Sequence, residues 1–320
     1  GWYIEEYGIA QLSLNLTDIN VTPVHVAFDE ACTKAQARGI RVTGSELVGL
    51  LPLRVLLDAA DHYLRKQQRS LGISEAEKVK IAVKSLGLDD LAPFDPAKRV
   101  IEYIIAEEGN SSLINMTLTQ FADTTASEAP APGGGSISAY AGALGAALAT
   151  MVANLSAHKR GWDDRWEEFS VHAEKGPAFQ NQFMTLVDGD TQAFDAIMAA
   201  YGMPKGTEDQ KAKRHQAIQD ATRNAIDIPM QVAQVAHDGL SLAKAMASDG
   251  NPNSVTDAGV GAMCLRTAVL GAVLNARINC GDLEDADYVA QIQSRCAELV
   301  ESATRQESEI LATVDRVMAG

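Results

Sequence analysis

Residues 130–157 read PAPGGGSISAYAGALGAALATMVANLSA. A Pro- and Gly-rich opening, Pro130-Ala131-Pro132-Gly133-Gly134-Gly135-Ser136, leads directly into a long helical stretch rich in Ala and Gly. Small side chains let helix backbones approach one another, so this composition predicts closely packed helices rather than a sheet. The opening itself has chemical potential. Glycines let backbone N–H groups crowd around a ligand, and a helix N-terminus carries partial positive charge. Together they make a site for a carboxylate or another polar acceptor. On composition alone the same residues also read as a flexible turn between helices. They are not a phosphate loop, because the GK[ST] ending is absent.

Downstream the pattern stays helical. Breaks fall at Gly161, Gly176-Pro177, Gly202-Pro204, Gly250-Pro252 and Gly281-Asp282, leaving five long helical segments. Upstream, Leu118, Phe121 and Ala122 form one helical stripe. No alternating run appears after Leu113, so residues 113–320 are predicted to be an all-α bundle.

The first part of the chain differs. Ala10, Leu12, Leu14 and Leu16 alternate with polar residues, which predicts a half-buried strand. Thr22-Pro23 predicts a helix start with Thr as its cap, running to Gly39. Ile40–Thr43 reads as a second strand, and Pro52 opens a helix ending near Lys66. Residues 1–68 therefore form a β-α-β-α layer too small to stand alone. Residues 69–112 read as a helical connector, interrupted by Pro93 and Pro96 and bounded by Glu107-Glu108-Gly109-Asn110-Ser111-Ser112. The expected fold is mainly α, a helical bundle preceded by a small truncated α/β subdomain. The start at Gly1-Trp2-Tyr3, without Met and straight into an apolar run, suggests a piece of something longer.

A chain of 320 residues suggests two domains. Its net charge of −15 argues against nucleic acid as a partner, since phosphates reward clustered Lys and Arg. Cys32, Cys264, Cys280 and Cys296 show no CxxC pair or metal-ligand spacing and read as reduced thiols, which suits a cytoplasmic setting. No stretch reads as a membrane span; Ile137–Leu155 comes nearest but is Gly- and Ala-rich. The six histidines show no ligand spacing, and each reads as structural. No metal site is expected.

Three further segments carry possible chemistry. Gly250-Asn251-Pro252-Asn253-Ser254-Val255-Thr256-Asp257 precedes a helix with Asp257 on its early polar face. Asn275 and Asn279, i and i+4, share a face later in the same helix. Buried amides need partners, so the pair is either a helix–helix contact or a binding element. Asp188-Gly189-Asp190-Thr191, with Phe194 one turn on, offers carboxylates for acid–base work, or merely solvated acids. His158-Lys159-Arg160 is a basic cluster at a helix end, suited to an anion or simply to solvent.

Taken in order, these segments resemble a known family. The Pro130–Ser136 run followed by Ala139, Gly142, Ala143, Gly145 and Ala146 resembles the opening of the formimidoyl-tetrahydrofolate cyclodeaminase domain. Asp190-Thr191-Gln192-Ala193-Phe194, Gly250–Asp257 and the Asn275/Asn279 pair match its other hallmarks. Independently, Ala10–Asp18 and Gly39–Pro52 resemble the C-terminal subdomain of glutamate formimidoyltransferase. The two in this order are what the bifunctional enzyme, formimidoyltransferase-cyclodeaminase, would show. The transferase's N-terminal subdomain, with its general-base histidine, has no counterpart in these residues, so no transferase activity is expected of them.

The resemblance implies closure of 5-formimino-tetrahydrofolate to 5,10-methenyl-tetrahydrofolate with release of ammonia, in histidine degradation. Tetrahydrofolate is carrier and substrate, with no metal. On this reading Asp257 and Asp190 are the acid–base or cation-stabilising carboxylates. Asn253, Asn275 and Asn279 hold the pterin or its bridge, and Gly133, Gly134, Gly135 and Ser136 let folate approach the backbone. Lys159 and Arg160 meet the (poly)glutamate tail. The resemblance also implies a homo-oligomer, at least a dimer, and no membrane partner. The alternatives are a methenyltetrahydrofolate cyclohydrolase of the same fold and a non-catalytic helical assembly scaffold.

Overall fold

The structure, a computed structural model, describes residues 1–6, 8–106 and 112–320. The expected boundary at Glu107–Ser112 lies, apart from Ser112, outside the described residues. Two compact units emerge. The first joins Gly1–Gln68 to the described part of Ser74–Asn110; the second joins Arg69–Ile73 to the described part of Ser111–Gly320.

The first unit begins with an antiparallel hairpin, β1 (Trp2–Ile4) and β2 (Ile9–Gln11), in the register Tyr3↔Ala10. Helices α1 (Val24–Gln36), α2 (Leu53–Lys66), α3 (Glu75–Ser85), α4 (Pro96–Arg99) and α5 (Ile101–Ala106) follow. Its core is helical. Val55, Leu56, Ala59, Ala60, Tyr63 and Leu64 repeat at helical spacing and make one buried face of α2. That face meets Val79, Ala82 and Val83 of α3, together with Leu51 and Val100. The Leu51–Val100 pair forms an isolated parallel bridge.

Several expectations are corrected in this unit. The strand of Ala10–Leu16 shrinks to its first residues, and Leu12 and Leu14 are exposed. Alternation supplies one apolar face, but the core that would cover it is occupied by α2 and α3. Ile40–Thr43 forms no strand and Ile40 is exposed. The following residue pair is instead held by Ser45, whose N–H donates to Gly87 O at 2.9 Å. Helix α1 starts at Val24 without a side-chain cap from Thr22. It stops as expected near Gly39, whose φ of +72° suits glycine. Residues 69–112 are not a separate connector. Helix α3 packs on α2, while Arg69–Ile73 belongs with the second unit.

The second unit is all helix: α6 (Leu118–Thr125), α7 (Gly134–Ala157), α8 (Trp166–Ala173), α9 (Lys175–Tyr201), α10 (Glu208–Asp249), α11 (Val255–Asn279) and α12 (Ala286–Ala319). The chain is thus mainly α with a small α/β part at its start. Helix α7 packs against α8, α9, α10 and α11, and α11 against α7, α10 and α12. Facing pairs set the directions. Gly176 lies at Thr150, Gly142 at Phe183 and Gly135 at Asp190, so α9 runs antiparallel to α7. Ser138 meets Gly271, Gly145 meets Leu265, and Gly134 meets Asn275, so α11 does too. The α7–α11 contact is backbone to backbone: a Cβ on Gly145 would lie 2.7 Å from Gly261 O. Any larger residue there forces the helices apart.

Against expectation, Gly134–Ala157 and Pro252–Asp282 are both long and apolar enough to cross a membrane by length and composition. They are the two central helices of the bundle, which explains the composition without a bilayer.

Candidate active site

The N-terminus of α7 is the chemical centre of the second unit. Its first N–H groups have no intrahelical partner. Ser136 N donates to Asp190 Oδ2 at 3.0 Å. The Ser136 hydroxyl lies 2.9 Å from Val187 O and 3.2 Å from Asp190 Oδ2. Asp190 therefore has one oxygen fixed by Ser136. Its other oxygen, Oδ1, sits 1.9 Å from where a Cβ on Gly135 would be, so only glycine admits it. Burial pushes the Asp190 carboxyl above the ordinary carboxylate range, and the two Ser136 contacts reduce that rise.

Asn275 reaches the same place from α11. Its Nδ2 donates to Gly271 O at 2.8 Å and lies 3.2 Å from the Cβ position of Gly134. Gly133, by contrast, faces open space: a Cβ there meets nothing within 4 Å, and its φ of −104° suits any residue. Among the described residues nothing requires glycine at this position. Asn279, one turn beyond Asn275, donates to Ala225 O of α10 at 2.8 Å and so also serves as a helix–helix tie.

The remaining expected residues are not brought here within one chain. Asp257 and Asn275 are 18 residues apart on α11, about 27 Å at 1.5 Å per residue. Asn253, which is exposed, precedes that helix, and Asn251 N donates to Ser156 Oγ at the far end of α7 at 2.7 Å. Lys159 and Arg160 follow the C-terminus of α7, about 36 Å from its start. There the Lys159 ammonium lies 3.8 Å from the centre of the Trp162 ring, which is stacked on Phe169. Spacing along the sequence hides this because antiparallel packing sends the two ends of each helix to opposite ends of the bundle.

Two tertiary ties in this unit escape a sequence reading. Asp188 is not a solvated acid: it accepts from Ser112 Oγ, and from Leu113 N at 2.9 Å, pinning the segment before α6 onto α9. The Tyr288 hydroxyl donates to Asp227, joining α12 to α10. Both pairs are distant in sequence and have no local signature. Among the described residues no cluster of three His, Cys, Asp or Glu side chains could hold a metal ion. In the first unit, His25, His62, Asp58 and Arg65 line a cleft of about 450 Å³.

A half-buried carboxyl whose pKa burial raises, set beside helix-terminal N–H groups and an amide, is equipped for proton transfer to and from nitrogen. Comparison with known proteins decides what kind of molecule this is. The formiminotransferase-cyclodeaminase profile matches residues 117–298, and the formiminotransferase domain profile matches residues 1–106. The chain belongs to the formiminotransferase-cyclodeaminase family. It is 36% identical over 316 residues to formimidoyltransferase-cyclodeaminase of Rattus norvegicus, covering 98% of this chain and 58% of that protein. The chain thus spans a little over half the length of the animal formimidoyltransferase-cyclodeaminases it matches. Methenyltetrahydrofolate cyclohydrolase of Methylorubrum extorquens is 34% identical over 200 residues, 62% of this chain and 96% of that enzyme. The crystal structure of formiminotetrahydrofolate cyclodeaminase from Thermotoga maritima has a TM-score of 0.54 and 26% identity, covering 65% of this chain and 98% of that one.

Proposed function

We propose that the second unit is a formimidoyltetrahydrofolate cyclodeaminase, closing 5-formimino-tetrahydrofolate to 5,10-methenyl-tetrahydrofolate with loss of ammonia. The observation that carries this reading is Asp190, raised in pKa and held by Ser136 at the α7 N-terminus. Ring closure forms a bond from N10 to the formimino carbon and breaks the bond from that carbon to the departing nitrogen. Asp190 Oδ1 moves the proton: it accepts it as N10 adds and delivers it to the leaving amine. General acid–base groups of this kind contribute about 10²–10⁴-fold. Asn275 and the room at Gly133 receive the polar edge of the pterin. Tetrahydrofolate is the one-carbon carrier, and histidine degradation in the cytoplasm is the setting that suits this chemistry.

The same unit pairs with a second copy. Ile137, Leu144, Met151 and Leu155 form an exposed apolar stripe on α7, beside Val260, Met263, Leu274 and Ile278 on α11. A two-fold axis across this face lays the Asp257 end of one α11 beside the Asn275 end of the other, which reunites Asn253 and Asp257 with the α7 N-terminus. The 320 residues by themselves are proposed to transfer no formimino group to or from glutamate.

The test is absorbance of the methenyl product after mixing the chain with 5-formimino-tetrahydrofolate, with ammonia measured in parallel. Equal amounts of both support the cyclodeaminase. The likeness to the cyclohydrolase favours a second reading, in which methenyl-tetrahydrofolate is hydrolysed; loss of absorbance from that compound without ammonia would establish it. Silence in both assays from a folded oligomer would leave a helical scaffold.

A further inference from the structure

Within one chain, Lys159 and Arg160 lie at the far end of α7 from Asp190. A second cationic cluster of the same chain lies on the Asp190 side of the bundle. Past Asp190, α9 runs on for 11 residues, to Tyr201, whereas α7 has ended at Gly134. The α9–α10 hairpin therefore overhangs the α7 N-terminus. Phe194, Met198 and Tyr201 follow Asp190 at i+4, i+8 and i+11, which continues one stripe of α9. These three side chains are 42%, 54% and 47% exposed.

At the tip the charge changes sign. Between Tyr201 and Arg214 stand Lys205, Lys211, Lys213 and Arg214 against Glu208 and Asp209 alone, in a chain of net charge −15. Lys211 is engaged by Glu208 at 2.8 Å, while Lys205 and Lys213 form no ion pair among the described residues. Arg214 lies over the Tyr201 ring, 5.6 Å from its centre, and donates to Tyr201 O from Nε at 3.2 Å and Nη2 at 3.1 Å. This fixes a guanidinium at the end of the stripe. Phe194 to Tyr201 is seven residues, about 10 Å along the helix, which suits the span from a benzoyl ring to the carboxylates of an attached glutamate.

The geometry points to the α9–α10 overhang as the binding edge for the aryl-glutamate half of the substrate, with the aryl ring on Phe194 and the carboxylates at Lys205, Lys213 and Arg214. This rests on the folate reading of the Asp190 site. The polar pterin goes to the amides and Asn275, and the less polar benzoyl ring takes the half-exposed aromatic. In an acidic protein, a cationic tip of this kind draws an anionic ligand locally.

The experiment is equilibrium binding of two probes to the full chain: 5-formyl-tetrahydrofolate, and 6-methyl-tetrahydropterin, which lacks the tail. F194A is expected to weaken the folate about tenfold or more, and F194Y to restore it. K205E/K213E is expected to weaken it about threefold or more at low salt, with the difference closing near 0.5 M salt. Neither variant changes tetrahydropterin binding. Wild-type affinity for the folate in both variants overturns the inference and leaves the Asp190 reading standing, as does loss of affinity in K159E/R160E instead. A shift of oligomeric state in F194A without loss of binding overturns it in favour of a second copy on this stripe. A wild-type chain that binds neither probe overturns the folate reading and this inference together.

Discussion

Asp190 of α9 and Ser136 of α7 share two contacts, a backbone N–H donated at 3.0 Å and a hydroxyl at 3.2 Å, and both reach the same carboxylate oxygen. The bond orients the acid and leaves Oδ1 available. Asp190→Asn keeps an acceptor for the Ser136 N–H but loses the proton. Turnover is expected to fall about 100-fold or more with substrate affinity within a few-fold. Stability moves the other way. A carboxyl whose folded pKa is raised costs stability once the pH has passed from its ordinary value, 3.8, through the folded value. At pH 7.5 the variant should therefore melt at or above the wild-type temperature. A lower melting temperature with unchanged turnover would remove Asp190 from the mechanism.

Two neighbouring glycines should respond oppositely. Gly135→Ala drives a methyl into Asp190 Oδ1, so the carboxylate must leave its place. We expect a loss of about 1–3 kcal/mol of stability and a fall in kcat. Gly133→Ala meets nothing within 4 Å among the described residues and should leave the melting temperature unchanged. If substrate approaches that backbone, KM rises in Gly133→Ala alone; steady-state kinetics with thermal melts on both variants separates the cases.

Asp257 and Asp190 supply a third test, because single-chain geometry puts them at opposite ends of the bundle. If paired copies share a site, the inactive variants Asp257→Asn and Asp190→Asn should recover activity when mixed under conditions that exchange subunits. Persistent inactivity of the mixture, with each homo-oligomer folded, would confine the site to one chain.

His158 ties pH to stability. Its Nε2 accepts from Ser70 N at 3.2 Å, which requires the neutral ring, and burial holds its pKa below the ordinary 6.5, helped by the charge of Arg69. A histidine with a lowered folded pKa contributes stability above its unfolded pKa and loses it as the pH falls through the folded value. The melting temperature should thus drop between pH 7.5 and pH 5.5, and His158→Gln should flatten that dependence. An equal slope in the variant would assign the effect to other groups; His25 and His172 are lowered in the same direction, mainly by burial.

The bundle was legible because its helices announce themselves: Ala- and Gly-rich runs between Gly–Pro breaks mark α7, α9, α10, α11 and α12. The Gly133–Ser136 turn, Asp190 and Asn275 stand out in the sequence, and the fold brings them together. What the sequence does not show is assembly. Asp257, Asn253, Lys159 and Arg160 sit in local patterns as suggestive as those of Asp190, but whether they reach it depends on helix direction, which no local pattern encodes. The strands at Leu12–Leu16 and Ile40–Thr43 failed for a related reason. Alternation states which face wants burial, and only the tertiary fold supplies a surface to bury it.

Gly145 and Gly261 bring the backbones of α7 and α11 into direct contact. This contact locks α7 and α11 at a fixed point about 14 residues from Asn275, and every residue beyond that point is placed by counting. Inserting or deleting a single residue between Gly261 and Asn275 would swing Asn275 about 100° around the helix, away from Gly134. The second half of α11 should accordingly refuse any change in its length.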